Sequence, residues 1–213
     1  MANVDRPSGL MPMRHRNGAP YNGAANPYYI PAAYGTALFV GDAVIKSGTS
    51  NTAEVKVPGV GVAPIGTLPA ITSATVGDGN RVTGVIVSFA ADPSNPDRAY
   101  SPASTEGVAW VADDPDLAFE VQADGAIPAA SMGLNAVLIA THSGNTSTGR
   151  SGMELDTTSD APAADASNQL LIIRAVNRDD NDTTLTHARV EVLVSNHTEA
   201  HGSTAAGDGI LGI

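Results

Sequence analysis

The chain has 213 residues, a net charge of −11 and 42% hydrophobic residues, enough apolar material for a core and hence against wholesale disorder. Its acidic balance repels a phosphate backbone and argues against a nucleic-acid partner. The absence of cysteine excludes disulfides, thiolate metal sites and thiol catalysis, and no run of about 18 apolar residues exists to form a helical membrane span.

Residues 1–36 stand apart from the rest. They contain Pro7, Pro12, Pro20, Pro27 and Pro31, and four of the five tyrosines, Tyr21, Tyr28, Tyr29 and Tyr34. Arg6, Arg14 and Arg16 face a single acid, Asp5, so residues 1–16 carry +2 and the remainder carries −13. Each proline removes a backbone donor and restricts the residue before it, which rules out a helix of any length. The segment is therefore expected to be an extended, polyproline-like arm that docks its tyrosines on a partner surface. The arm is expected to end at residue 36, with a β-rich body over 37–197 and a flexible tail over 198–213. No continuous apolar leader is visible near Met1, so synthesis in a cytoplasm is expected.

Beyond the arm, strand signals follow one another. Ala37–Val40 ends at the turn pair Gly41-Asp42, and Ala43–Lys46 comes next. Glu54–Val57 alternates polar and apolar residues before Pro58-Gly59 turns the chain. Val82–Phe89 predicts a strand with a possible bulge at Gly84. Gly107–Val111 and Ala118–Gln122 predict two more, joined by the acidic turn Asp113-Asp114-Pro115-Asp116. The segment Ala126–Leu134 is a weak helix candidate because it holds Pro128 and Gly133. Asn135–Ala140 predicts a short strand, and Ser143–Ala166 a long polar loop with exposed, variable surface. Gln169–Val176 is almost continuously apolar and predicts a central strand buried on both faces. In Ala188–Val194, the side chains of Val190, Val192 and Val194 point one way while Arg189 and Glu191 point the other. About nine or ten short strands with abundant glycine and proline predict an all-β antiparallel barrel or sandwich carrying an extended N-terminal arm.

Motifs for chemistry are sparse. The stretch Gly77–Gly84 lacks the spacing of a dinucleotide loop and the lysine of a P-loop, and reads as a hairpin turn. Two acidic clusters, Asp113/Asp114/Asp116 and Asp179/Asp180/Asn181/Asp182, have hard-cation donors without the EF-hand pattern, and read as solvated turns. Of the five histidines only His197 and His201 have metal-like spacing, and no helix is predicted there to present them together. No Gly-x-Ser-x-Gly elbow occurs. Trp110, the only tryptophan, reads as core. Neither a cofactor, a metal site nor a catalytic residue is expected.

Several segments resemble structural proteins of tailed bacteriophages. They are Asp5-Arg6-Pro7-Ser8-Gly9-Leu10, Pro20-Tyr21-Asn22-Gly23, the run from Tyr34 to Asp42, Val111–Asp116 running into Phe119–Gln122, Ser151–Asp156, and Leu193–His197. The resemblance is to capsid decoration, or cement, proteins. It implies a non-enzymatic virion component on the capsid exterior, a homo-oligomer and often a trimer, bound to the major capsid protein by an arm that crosses neighbouring subunits. In that setting Arg6, Arg14 and Arg16 are expected to pair with carboxylates on the shell. Tyr21, Tyr28, Tyr29 and Tyr34 are expected to anchor in its grooves. A head fibre, tail or receptor-binding component is the alternative.

Overall fold

The computed structural model describes residues 3–92, 94–140 and 142–200. The expected tail over 198–213 therefore lies, beyond Ala200, outside the described residues, as does His201. The strands are β1 (Met11–His15), β2 (Asn26–Ile30), β3 (Ala43–Ser50), β4 (Val55–Val57), β5 (Gly61–Ala63), β6 (Pro69–Ser73) and β7 (Gly84–Phe89). They continue with β8 (Gly107–Ala112), β9 (Leu117–Gln122), β10 (Asn135–Ala136), β11 (Leu138–Ile139), β12 (Glu154–Leu155), β13 (Leu170–Ala175) and β14 (Arg189–Val194). The fold is all-β. Where the sequence offers a weak helix, Ala129–Ser131 makes one turn of 3-10 helix.

Two units share one core. One is a five-stranded antiparallel sheet in the order β1-β9-β14-β13-β10. The other is a small closed barrel in the order β2-β6-β3-β7-β8, antiparallel except for the β2–β6 contact at Tyr29 and Ala70, which is parallel. Phe119, Val121, Ile172, Val190, Val192 and Val194 of the sheet pack with Ala43, Val85 and Ala112 of the barrel. The barrel lumen is filled by Tyr28, Ile30, Val44, Ile71, Ile86, Ala109 and Val111, closed by Leu38. Strand alternation is clean here: Tyr28 and Ile30 face the lumen, while Tyr29 faces an outer cluster with Val57, Leu68, Ala70 and Val108.

The N-terminal segment departs from the expected free arm. It supplies β1 to the sheet and β2 to the barrel, so the expected boundary at 36 falls inside a cooperatively packed unit. Its prolines are compatible with this because of where they sit. Pro12 lies on the edge strand of the sheet and Pro27 near the start of β2, positions where the missing N–H is tolerated. Leu10 is buried in the shared core, and its N–H bonds Gly41 O at 2.9 Å. Gly9 and Gly41 both have positive φ (66° and 97°), and a Cβ on either would lie 2.2–2.3 Å from a carbonyl oxygen of the other segment. Only glycine allows this crossing.

Other expectations are corrected in detail. Gly84 is not a bulge; it lets β8 approach closely, since a Cβ there would lie 2.5 Å from Ala112 O. The bulge falls between Ile86 and Ser88. Ala37–Val40 forms only isolated bridges at Leu38 and Val40. The loop over 143–166 is not all exposed surface, because Ser151–Asp156 is buried and includes β12. The strands buried on both faces are β9 and β14, the latter in the middle of the sheet, while β13 alternates and exposes Arg174.

Candidate functional site

The outer face of the five-stranded sheet carries charge where strands usually meet solvent. Glu120 on β9 and Glu191 on β14 stand directly opposite one another and are almost fully buried. Two like charges in register destabilise a sheet by themselves. Four guanidiniums resolve the conflict. Arg14 reaches Glu191 at 2.6 Å and Arg174 meets its other oxygen at 2.6 Å. Arg178 and Arg189 hold Glu120 at 2.8 and 3.3 Å. The arginine stems cover the sheet while their heads stay partly wet. Removing one partner from such a set leaves an uncompensated buried charge, and the network links β1, β9, β14 and β13.

The candidate residues of the N-terminal segment are mostly engaged within this chain. Arg14 belongs to the network just described. The Arg6 N–H donates to Gln122 Oε1 at 2.9 Å, and its carbonyl accepts from Arg189 at 2.8 Å. Arg16 sits 3.6 Å from Asp116 with both side chains exposed, a contact worth little. Tyr28 is 4% exposed, and its hydroxyl donates to Asp113 Oδ2 at 2.7 Å. Burial first, then that carboxylate, hold its phenol above the ordinary range. Tyr29 is buried against the barrel exterior, where burial and then Glu106 likewise raise its phenol. Tyr34 Oη accepts the Ser73 N–H at 3.0 Å, and the Tyr21 hydroxyl donates to Ala24 O at 3.0 Å. Tyr28 and Tyr29 are thus core residues here, unavailable as anchors for a partner. The acidic turn at 113–116 is where the segment's polar groups go. Asn26 and Tyr28 bind Asp113, His15 lies 3.0 Å from Asp114, and Arg16 faces Asp116.

A cleft of about 820 Å³ opens beside the ion network, between residues 3–8, the 142–152 segment and the 178–189 segment. Asp5 and His187 line it, and with the buried Glu154 they bring one ligand atom each within 4.8 Å of one another. Gln122, fully buried, donates from Nε2 to Asp5 Oδ1 at 2.9 Å and to Glu154 Oε1 at 2.8 Å. His142 Nε2 lies 3.3 Å from Glu154 Oε2. No sequence spacing signals this group, because its members lie in three distant segments. The histidine pair with metal-like spacing, His197 and His201, falls partly outside the described residues. His197 is buried, and that burial lowers its imidazole below the ordinary range although Glu199 opposes the effect.

The third feature is a hairpin. β4 and β5 form their own two-stranded sheet. Val57, beside its turn, is buried against Leu68, Ala70 and Val108. Pro58-Gly59 occupies the turn closed by Val60 N–H to Val57 O at 3.1 Å, with Gly59 at φ 78°, the geometry of a Pro-Gly type II turn. Past the turn, Val60, Val62 and Ile65 are 67%, 62% and 65% exposed, three of the five large apolar side chains so exposed among the described residues. A second cleft, about 610 Å³, runs from Glu54, Lys56 and Pro58 along the hairpin to Tyr100 and Arg98. Comparison with protein-family models, with curated proteins and with solved structures finds no match to this chain.

Proposed function

We propose that this protein is a capsid decoration, or cement, protein of a tailed-phage head: a non-catalytic clamp on the virion exterior that binds the major capsid protein as a homo-oligomer, with a trimer the form the sequence resemblance implies. The observation that carries the reading is the group of exposed apolar side chains Val60 and Val62 on the β4–β5 hairpin and Ile65 just beyond it. An apolar group of this kind on a chain of net charge −11 is a surface suited to being covered by a partner. Many copies convert a small contact into firm attachment, and the acidic remainder keeps particles apart. The buried carboxylates Glu120 and Glu191 are consumed in holding strands together, which also favours a binding role over a catalytic one. In this reading the hairpin, rather than a tyrosine-bearing free arm, makes the principal contact.

The test is co-sedimentation of the full-length chain with purified heads that lack it, beside a Val62→Asp variant whose fold is checked by circular dichroism. Saturation in fixed ratio to the capsid subunits, abolished by Val62→Asp, is the expected result. Equal binding by the variant removes the hairpin from the contact. A few copies per particle assigns the chain to a fibre, tail or receptor-binding component instead. Absence of binding refutes the proposal.

A further inference from the structure

Asp5, Glu154 and His187 have the make-up of a metal centre rather than of an ordinary ion pair. The His187 Nδ1 atom is shielded from solvent and has no hydrogen-bond partner. The nearest carboxylate oxygen, Asp5 Oδ1, stands 3.6 Å away, too far for a hydrogen bond. That separation is close to the edge of a tetrahedron of ligands around zinc, about 3.4 Å for metal–ligand bonds of about 2.1 Å. Glu154 is buried, and Gln122 behind it orients both carboxylates from one amide nitrogen. An outer group that fixes two ligands at once is the arrangement that sustains metal sites. His142, 3.3 Å from the second oxygen of Glu154, stands outside this cluster at the cleft edge. The guanidiniums of Arg178 and Arg189 line the same cleft, and both are held by Glu120.

We propose that Asp5, Glu154 and His187 bind one divalent transition-metal ion of the zinc class. Imidazole nitrogen with carboxylate oxygen suits zinc, cobalt or manganese, whereas calcium and magnesium take oxygen ligands alone. The ion ties the start of the chain to β12 and to the loop before β14, three segments that local sequence does not connect. Its role is a structural staple, and it stands independently of what the hairpin binds.

The experiment uses the full-length chain stripped with chelator and titrated with cobalt(II), followed by visible absorption, and with zinc(II), followed by calorimetry. The expected result is one equivalent per chain, cobalt d–d bands, and a higher melting temperature with metal than without. Asp5→Asn, at an exposed residue that the fold tolerates, and His187→Gln are each expected to weaken binding at least about tenfold. No saturable binding by the wild-type chain overturns the proposal, whatever the variants do. Undiminished binding in both variants overturns it too, as does calcium binding in preference to zinc.

Discussion

Replacing Tyr28 separates a tyrosine in a docking arm from a tyrosine in a barrel. Its ring lies in the lumen with Ile30, Val44, Ile71, Ile86, Ala109 and Val111, and its hydroxyl reaches Asp113 at 2.7 Å. Tyr28→Phe keeps the ring and deletes a hydrogen bond to a charged acceptor, a loss of about 1.5–3 kcal/mol. The lower end is expected, because Asp113 still accepts two bonds from Asn26. Tyr28→Ala also leaves a cavity in the lumen and is expected to cost about 3–5 kcal/mol, a large share of the stability of a domain. Arg16→Ala, which removes an exposed charge from the same segment, is expected to stay within about 0.5 kcal/mol of wild type. The assay is equilibrium unfolding in urea, followed by the fluorescence of Trp110, which lies opposite Pro27 across the β2–β8 pair. If Tyr28→Ala shifts stability by less than about 1 kcal/mol at unchanged m-value, β2 does not belong to the barrel and the reasoning fails.

Two further outcomes are expected. Gly41→Ala places a Cβ 2.3 Å from Ser8 O at a positive φ, and is expected to destabilise by about 2–4 kcal/mol in the same unfolding assay; a neutral result would mean that the 8–9 and 41 segments do not cross. Asp42 is buried, and that burial raises its carboxyl to about 6 despite hydrogen bonds from Ser151 and the Phe39 N–H. A carboxyl whose folded pKa exceeds its unfolded one costs stability once ionised, so wild type should lose on the order of 3 kcal/mol relative to Asp42→Asn as pH rises from about 4 to about 7. The difference between the two chains cancels other titrations, including that of His197, and a pH-independent difference would show that Asp42 is not the group responsible.

Much of the fold was legible locally. Strands β3, β7, β8, β9, β13 and β14 carry period-two or continuous apolar patterns bounded by Gly, Pro and Asp turns, and each lies within a residue or a few of its expected place. β12 was not legible, since a two-residue strand has no periodicity to read. The N-terminal segment differs from its expected form for a specific reason. Its prolines exclude a helix, but they do not exclude an edge strand or the opening residues of a barrel strand, and the tyrosines that suggested an external groove found one inside the chain.

The sequence by itself determined that this chain is all-β, acidic and rich in turns, because alternation, propensity and charge are properties of neighbouring residues. Tertiary structure alone decided which polar residues are buried. Glu120 and Glu191 have no local signal of burial, and they meet Arg14, Arg174, Arg178 and Arg189 only when the strands align. The meeting of Asp5, Glu154 and His187 is likewise set by long-range closure, which no local pattern encodes.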